Sequence, residues 1–385
     1  MTTPYFLISQ KKLDENILSF QTSLKQIWSN SIIGYSVKTN SLPWLLSCME
    51  RKGLFAEVVS DEEYDLALKC GFSDNRIIFN GPVKGDSFFQ RAVKNHAVIN
   101  LDSKNDLALL EKYAPDDAAD IGVRVNLPPE IFDVSDIGYS DDGFRFGFSD
   151  QSGELENAIQ KIRHICGECR FGLHLHVNSV TRSVNVYSAI AEYAVYLIEK
   201  YKITPSFIDI GGGFFGGVPG KTTPREYITA VADILKTSVD PNKTKLILEP
   251  GSAIIGSAVD LHTSVIDVKD TGRSRIVTTD ASRIHIDPLW KKTGYLYSSD
   301  SLNEIHPKQI ICGYTCMDHD RLMTIENAPE LEAGNKIIYH RVGAYSMTFG
   351  GMFIRYYPDV YVQDGDHISK IRSVCGVEDY INIHS

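Results

Sequence analysis

The pattern that most constrains this chain is an alternation, between residues 33 and 250, of short apolar segments with longer amphipathic ones. The short segments are rich in β-branched residues and bounded by turn residues, which is typical of strands buried in a parallel sheet. Eight are found: Ile33–Lys38, Ala56–Val59, Ile77–Asn80, Ala97–Asn100, Gly122–Asn126, Gly172–Val177, Phe207–Gly212 and Leu246–Pro250. Because parallel strands need crossover helices, the alternation predicts a TIM-like (β/α)8 barrel. A doubly wound open sheet is the alternative that strand counting leaves open.

Three of the connecting segments carry helical patterns. Asp61–Cys70 follows Ser60, a good N-cap residue, and precedes Gly71, a favoured C-cap residue. Asp102–Tyr113 and Ser183–Lys200 have apolar residues at helical spacing. These segments are predicted to be crossover helices of the barrel.

The character of the sequence changes after Gly251. Strand-like segments follow one another with little helical periodicity, which predicts a C-terminal antiparallel β-sandwich or β-barrel domain. These segments are Leu261–Val268, Ser274–Thr279, Gln309–Cys312, Arg321–Ile325, Lys336–Arg341 and Asp359–Val362. Tyr5–Ile8 is a further strand segment that is expected to pair with them. The expected domains are therefore 25–255 for the barrel, and 1–24 with 256–385 for the β domain.

Composition narrows the classes of partner. The chain has 385 residues and a net charge of −10, which argues against nucleic acid or an anionic membrane as its main partner. No apolar segment approaches the roughly 20 residues that span a bilayer. The N-terminus does not resemble a signal peptide. The seven cysteines show no disulfide spacing, so reduced thiols and a cytoplasmic location are expected.

Unusual residues gather at the predicted C-terminal strand ends, the face on which barrel enzymes carry their active sites. Lys38, Asn80, His176 and Glu249 lie at the ends of four strands, and Gly211–Gly213 follows the seventh. Glycine lets backbone N–H groups approach phosphate oxygens closely, and barrels often bind phosphate after this strand. A lysine that ends an apolar strand is partly desolvated, which lowers its pKa and suits it to form a Schiff base.

Each of these features also has a simpler interpretation. Three glycines in a row are often only a turn. His174 and His176 share one face of a strand, but no third metal ligand is evident near them, and Cys166-Gly-Glu-Cys169 lacks the second pair of a zinc site. No metal is therefore expected. Lys38 alone could be a surface residue.

Seven segments, in order, make the chain resemble the fold type III decarboxylases that depend on pyridoxal 5'-phosphate (PLP), the family of diaminopimelate and ornithine decarboxylases. The resemblance covers nearly the whole chain. The segments are Tyr35-Ser-Val-Lys38-Thr-Asn40, Glu57-Val-Val-Ser60-Asp-Glu-Glu63, Gly172-Leu-His-Leu-His176-Val-Asn-Ser179, Ile208-Asp-Ile-Gly-Gly-Gly213, Glu249-Pro-Gly251, Gly313-Tyr-Thr-Cys316 and Gly343-Ala-Tyr345. The resemblance implies an alanine racemase-like architecture and a PLP-dependent carboxy-lyase that acts on an amino acid.

The resemblance also implies roles for single residues. Lys38 would carry PLP as a Schiff base, His176 would stack on the pyridine ring, and Glu249 would hold the ring nitrogen. The phosphate would be bound by Ser179, Gly211, Gly212, Gly213 and Tyr345. Cys316 would act as the general acid, supplied by the neighbouring subunit of a head-to-tail homodimer with shared active sites.

The substrate pocket departs from the family pattern. After Glu249-Pro-Gly251 the family usually has an arginine, and here the residue is Ser252. Diaminopimelate enzymes also have Arg-Pro where this chain has Asp287-Pro, and an acid follows the cysteine where this chain has Met317 and then Asp318. These four positions predict a modified or conjugated amino acid as substrate rather than free meso-diaminopimelate. Four further residues near the altered stretch could meet an acidic group or be ordinary surface charge: Arg283, His285, Lys291 and Lys292.

Two other functions stay open at this point. A PLP-dependent racemase on the same fold would need an opposing catalytic tyrosine and would not show Gly313-Tyr-Thr-Cys316. A non-catalytic PLP-binding protein would be expected to have lost Lys38 or Cys316, and both are present. A nucleotide-binding oxidoreductase is disfavoured, because Gly211–Gly213 does not form a Gly-x-Gly-x-x-Gly pattern.

Overall fold

The computed structural model describes residues 1–113, 119–138, 142–166 and 170–385. The chain forms two compact units, Asn16–Ala253 and Met1–Glu15 with Ile254–Ser385. The strands are β1 (Tyr5–Ser9), β2 (Ser31–Ser36), β3 (Phe55–Val58), β4 (Ile77–Phe79), β5 (Val98–Leu101), β6 (Asp120–Asn126), β7 (Phe148–Ser149), β8 (Arg170–His174), β9 (Phe207–Asp209), β10 (Lys245–Leu248), β11 (Val259–Asp270), β12 (Arg275–Thr279), β13 (Tyr297–Ser299), β14 (Ile305–Cys312), β15 (Arg321–Pro329), β16 (Lys336–Tyr339), β17 (Asp359–Asp364) and β18 (His367–Arg372). The helices are α1 (Gln10–Ile27), α2 (Pro43–Arg51), α3 (Asp61–Lys69), α4 (Asp86–Lys94), α5 (Lys104–Tyr113), α6 (Glu154–Cys166), α7 (Val184–Tyr201), α8 (Pro224–Leu235), α9 (Ser252–Ile255), α10 (Arg283–Ile286) and α11 (Val377–His384).

Eight parallel strands of the unit Asn16–Ala253 close into a barrel, in the order β5-β4-β3-β2-β10-β9-β8-β6. Closure comes from the pairing of β5 with β6, in which Leu101 lies opposite Val123. An open doubly wound sheet would leave these two strands as edges, so that alternative is excluded and the predicted barrel is confirmed. The short β7 adds to the outside of β6.

The barrel interior is filled by apolar side chains from several strands. Ile32, Ile78, Val98, Phe207 and Ile247 form a buried cluster. The ring of Phe207 occupies space that two strand glycines leave free: a Cβ on Gly172 would lie 2.4 Å from this ring, and one on Gly122 would lie 2.9 Å from it. Glycine is needed at these positions for packing, not for turning.

Local signals place the crossover helices. The Ser60 hydroxyl accepts a hydrogen bond from the Glu63 N–H at the start of α3, and Gly71 follows its end with a φ of +108°. The predicted cap residues are therefore confirmed. Helix α1 was not anticipated, although Leu13, Phe20 and other apolar residues are buried along one face of it.

The unit formed by Met1–Glu15 and Ile254–Ser385 is built on a nine-stranded sheet with the path β15-β14-β12-β11-β1-β17-β18. Strand β16 pairs with β11 and β13. Strand β1 confirms the predicted strand Tyr5–Ile8. The sheet is mostly antiparallel as predicted, but β1 with β17 and β12 with β14 run parallel. Local apolar patterns do not record strand direction, which explains this difference.

Candidate active site

Six barrel strands deliver polar side chains to one end of the barrel. The residues are Lys38 after β2, Glu57 in β3, Asn80 after β4, Asn100 in β5, Asp209 at the end of β9 and Glu249 after β10. All belong to the C-terminal strand ends, where barrel enzymes place their chemistry. Five of these six residues are buried, and Lys38 keeps 40% of its side chain exposed. This end of the barrel is therefore the candidate active site.

Lys38 and Glu57 form an ion pair within this end of the barrel. The Lys38 Nζ lies 2.6 Å from Glu57 Oε2, and the Ser36 hydroxyl donates to the same oxygen at 2.6 Å. Burial by itself would raise the pKa of Glu57, but the Lys38 charge and the hydrogen bonds from Lys38, Ser36 and Asn80 outweigh it, so the pKa is lowered. Glu57 therefore stays ionised and holds the ammonium group of Lys38.

Two asparagines connect Glu57 to a pair of buried acids, Asp209 and Glu249. The Asn80 Nδ2 donates to Glu57 Oε1 at 3.0 Å and to Glu249 Oε1 at 2.6 Å. The Asn100 Nδ2 donates to the Asn80 side chain at 2.8 Å and to Asp209 Oδ2 at 3.1 Å. The side chains thus form one continuous buried network, in which each amide fixes the orientation of the next carboxyl group.

Asp209 and Glu249 form a hydrogen-bonded acid pair. Burial raises the pKa of Asp209 to about 7. Burial and the neighbouring charges of Asp209 and Glu57 raise the pKa of Glu249 well above its ordinary value. The pair therefore favours a shared proton over two adjacent negative charges.

His174 lies beside this acid pair and is a third side chain of a type that ligates metal ions. Its Nε2 lies 3.7 Å from Glu249 Oε2, and burial lowers its pKa well below the ordinary value. Neither ring nitrogen finds a hydrogen-bond partner among the residues that the structure describes. Donor atoms of His174, Asp209 and Glu249 all lie within 4.8 Å of one another. Barrel closure therefore supplies the neighbours of His174 that the sequence did not reveal.

His176 and the glycine loop lie next to each other. A Cβ on Gly211 would lie 2.4 to 2.6 Å from atoms of the His176 side chain, and Gly211 has a φ of +68°. A Cβ on Gly212 would lie 2.3 Å from the Glu249 carbonyl oxygen. The N–H groups of Gly212 and Gly213 find no backbone acceptor within the described ranges. Burial lowers the pKa of His176 to about 3, so its ring is neutral.

A cavity of about 330 Å³ opens beside His176. Its lining includes Arg124, Arg145 and Phe146, with the two guanidinium groups 4.5 and 4.2 Å from the Phe146 ring centroid. Arg124 is held by Asp102 at 3.0 Å. The cavity provides space for a bound molecule against the neutral imidazole.

The Ser179 hydroxyl, which was expected to bind phosphate, has two hydrogen-bond partners within the chain. It donates to the Asp136 carbonyl oxygen at 3.0 Å and accepts from the Arg182 N–H at 2.9 Å. The hydroxyl therefore supports the loop after β8 in this structure. Ser252, which stands where an arginine was expected, begins α9.

The remaining predicted residues belong to the unit Met1–Glu15 with Ile254–Ser385 and are not part of the barrel network. Cys316 is exposed, and Tyr345 is 42% exposed with a φ of 54°. Met317 is followed by Asp318, whose carboxylate is exposed and lies 3.2 Å from Arg321. Asp287, in contrast, is buried.

The four charged residues near Asp287 divide into two groups. Arg283 forms an ion pair with Asp287 at 2.5 Å. His285 is buried, and burial lowers its pKa to about 4. Lys291 and Lys292 are exposed. Ordinary surface charge is therefore the wrong description for Arg283 and His285.

Sequence reasoning missed most of the network. Asp209, Asn100 and Glu57 were not proposed as site residues, although each is a polar residue near the end of an apolar strand. A polar residue at the end of an apolar strand was the sequence feature that could have identified them. Cys169 of the pattern Cys166-Gly-Glu-Cys169 lies outside the described residues. Within the described residues, the cysteines without a disulfide are Cys48, Cys70, Cys166, Cys312, Cys316 and Cys375.

Comparison with known proteins identifies the family. Residues 10–256 match the family model described as the pyridoxal-binding domain of pyridoxal-dependent decarboxylases. The chain belongs to this family and is a PLP-dependent carboxy-lyase. Its cofactor is PLP.

Curated relatives and solved structures agree with this assignment. The chain is 26% identical to a diaminopimelate decarboxylase of Archaeoglobus fulgidus, over 91% of this chain and 85% of the relative. It is 25% identical to a probable chloroplastic diaminopimelate decarboxylase of Oryza sativa subsp. japonica, over 98% of this chain and 79% of the relative. The fold resembles that of diaminopimelate decarboxylase from M. jannaschii in complex with L-lysine, with a TM-score of 0.85, 20% identity and coverage of 100% and 92%. No described helix is long and apolar enough to cross a membrane.

Proposed function

We propose that this chain decarboxylates a modified or conjugated amino acid rather than free meso-diaminopimelate, with PLP attached to Lys38. The proposed substrate class rests on the hydrogen bonds that the Asp287 carboxylate makes. This buried carboxylate already accepts hydrogen bonds from the Arg283 guanidinium at 2.5 Å and from the Lys292 N–H at 2.9 Å. A second substrate carboxylate would need a cation there, and a bidentate arginine clamp is not replaced by an anion.

The positions that follow Cys316 support the same conclusion. Met317 carries no charge, and Asp318 is 98% exposed beside Arg321. An exposed carboxylate in water binds an amine weakly. A substrate whose distal amine is masked as an amide would not need an acid at this position. We therefore infer an amino acid conjugated at its side chain.

The barrel residues fit PLP on three grounds. Of the clustered acids Glu57, Asp209 and Glu249, the last two have raised pKa values. A protonated ring nitrogen beside them would lower those pKa values again. The glycine loop leaves N–H groups without backbone acceptors among the described residues. The neutral ring of His176 provides a flat apolar surface beside the cavity.

The chemistry divides between cofactor and chain. When bound, PLP supplies an electron sink for the electron pair that is left at Cα when CO2 departs. Lys38 would hold the cofactor covalently, and Glu249, as a carboxylate, would keep the ring nitrogen protonated. Gly211–Gly213, Ser179 and Tyr345 would bind the phosphate.

The proposed general acid is Cys316, whose Sγ would donate a proton to Cα. We propose that it is supplied by a second copy of the chain in a homodimer. Its exposed position agrees with donation to another molecule.

The experiment is a substrate panel. Purified protein reconstituted with PLP is assayed for CO2 release from meso-diaminopimelate, lysine, ornithine, and diamino acids whose side-chain amine is masked as an amide. We expect kcat/KM to be at least about tenfold higher for a conjugate, which corresponds to about 1.4 kcal/mol of transition-state binding. Fast turnover of free diaminopimelate would contradict the proposal. Inversion at Cα without CO2 release would identify a racemase instead.

A further inference from the structure

Arg182 reaches the position from which an expected arginine is missing. It lies six residues after His176, and its Nη1 is 3.5 Å from the hydroxyl oxygen of Ser252. Ser252 directly follows Glu249-Pro-Gly251, where the resembling family usually has an arginine. A guanidinium group therefore stands beside residue 252, although it comes from the loop before α7 rather than from residue 252 itself.

Arg182 lies next to the glycine loop Gly211–Gly213. The Arg182 Cζ lies 5.3 Å from the ring centroid of Phe215, which is two residues beyond Gly213. The Tyr227 hydroxyl donates to the Arg182 carbonyl oxygen at 2.6 Å. The Tyr187 hydroxyl donates to the Gly212 carbonyl oxygen at 3.0 Å. Arg182 is thus held against the loop whose N–H groups have no backbone acceptor among the described residues.

The charge of Arg182 is not neutralised by the described part of the chain. No described carboxylate lies within 4.0 Å of its guanidinium group. Its backbone also has a φ of 55°, a left-handed conformation that costs free energy for a residue with a side chain. An arginine in a strained position without an acid partner is explained if it binds an anion.

We propose that Arg182 binds the phosphate group of PLP together with the glycine loop, and so replaces the arginine that is absent at position 252. The planar guanidinium group donates two parallel hydrogen bonds to phosphate oxygens, which serine cannot do. This inference concerns the cofactor and holds whatever the substrate is.

The experiment compares PLP with pyridoxal, which has the same aldehyde and ring but no phosphate. Arg182→Asn removes the cation and tolerates the left-handed backbone, so the fold should be retained. Affinities are measured by absorbance titration of the cofactor-free protein, with borohydride trapping at Lys38 as a second readout. We expect Arg182→Asn to weaken PLP binding at least tenfold while pyridoxal binding changes less than twofold. Inorganic phosphate should not inhibit pyridoxal binding, either in the native protein or in Arg182→Asn. It should compete with PLP in the native protein and compete more weakly in Arg182→Asn.

Two further variants make the result specific. Lys221→Gln is the matched control, because the Lys221 ammonium lies 5.4 Å from the same Phe215 ring. It should leave both affinities unchanged. The double variant Arg182→Asn with Ser252→Arg returns the cation to position 252 and should recover most of the PLP affinity that Arg182→Asn loses.

Three outcomes would overturn the proposal. Unchanged PLP affinity in Arg182→Asn would show that the cation does not bind the cofactor. Equal losses for PLP and pyridoxal would show a structural role. Unchanged affinities for both molecules together with a raised KM would assign Arg182 to the substrate.

Discussion

At the scale of single residues, the barrel separates two kinds of buried acid. Glu57 is ionised because Lys38 and three hydrogen-bond donors outweigh its burial. The pKa of Glu249 is raised well above its ordinary value, because burial and the charges of Asp209 and Glu57 outweigh the attraction of Lys38. The same residue type therefore has its pKa shifted in opposite directions at positions linked by one Asn80 side chain. The neighbours, not the residue type, decide which acid can receive a cationic ring nitrogen.

The first residue-scale prediction concerns the site of cofactor attachment. Lys38 and Lys84 are both lysines with acid partners in the barrel unit, and Lys84 is fully buried with its Nζ 2.7 Å from the Gly81 carbonyl oxygen and 2.8 Å from Asp106. Lys38 retains 40% exposure of its side chain, so of these two lysines only Lys38 has an amine that can reach an aldehyde. Borohydride reduction with PLP followed by peptide mapping should label Lys38. A label on Lys84 would contradict the assignment.

A second residue-scale prediction concerns stability against pH. Burial raises the pKa of Glu63 to about 7, while its Oε2 accepts from the Val59 N–H at 2.9 Å. The raised pKa means that this group favours folding below about pH 4.5, and that the contribution is lost as pH rises to about 7. Glu63→Gln keeps an acceptor but does not titrate. We expect the variant to exceed the native protein in stability by about 2–3 kcal/mol at pH 8.

The measurement for Glu63 is the unfolding midpoint of the cofactor-free protein between pH 5 and pH 8.5. The stability difference should grow up to about pH 7 and then remain constant. Glu62→Gln is the control, because Glu62 is the exposed neighbour. A difference that is independent of pH, or equal for the two variants, would mean that ionisation of Glu63 is not the cause.

At the scale of elements, the turn after β9 combines an unusual backbone with a close contact. Gly211 has a φ of +68°, and a Cβ there would collide with the His176 ring. Gly220 has a similar φ of +73°, but a Cβ there would meet no atom within 4 Å. The two glycines therefore separate the cost of a left-handed backbone from the cost of displacing His176.

The element-scale prediction follows from that pair. Both Gly211→Ala and Gly220→Ala should lose about 1–2 kcal/mol of stability through the backbone alone. Gly211→Ala should in addition displace His176 and weaken PLP binding at least about tenfold, which corresponds to 1.4 kcal/mol. Gly220→Ala should bind PLP as the native protein does. Equal PLP affinities in the two variants, measured by titration, would show that the glycine loop does not contact the cofactor.

At the scale of the whole molecule, we propose a homodimer with shared active sites. The barrel unit contains Lys38, and the β unit contains Cys316. Lys38→Ala and Cys316→Ala should each be inactive. If one chain supplies Lys38 and the other supplies Cys316, a mixed dimer of the two variants regains one native site.

The whole-molecule prediction is therefore complementation. After the two variants are mixed in equal amounts and allowed to exchange subunits, activity should rise to about a quarter of the native value, because half of the dimers are mixed and each has one intact site. Mass spectrometry of intact dimers is the control for exchange. Mixed dimers without activity would place Lys38 and Cys316 of one site on the same chain.

The sequence was sufficient for features that are local along the chain. Each barrel strand is a short apolar segment between turn residues, and Ser60 marks the start of α3 through its own hydroxyl. Lys38, Gly211 and Glu249 could be singled out because each stands at the end of such a segment. Their order along the chain also carried the family resemblance, which the family model confirmed.

Tertiary structure alone decided which of these ends meet. The pairing of β5 with β6 closes the barrel, and the network of Asn80, Asn100, Asp209 and Glu249 joins residues up to 169 positions apart. Shifts in side-chain pKa, such as the raised pKa of Glu249, arise from these neighbours and from burial. Arg182 shows the same limit, since nothing in its own segment indicates that its guanidinium group lies beside Ser252. Apolar periodicity is a property of local chain segments, whereas contacts across a closed barrel depend on how all eight strands are arranged in space.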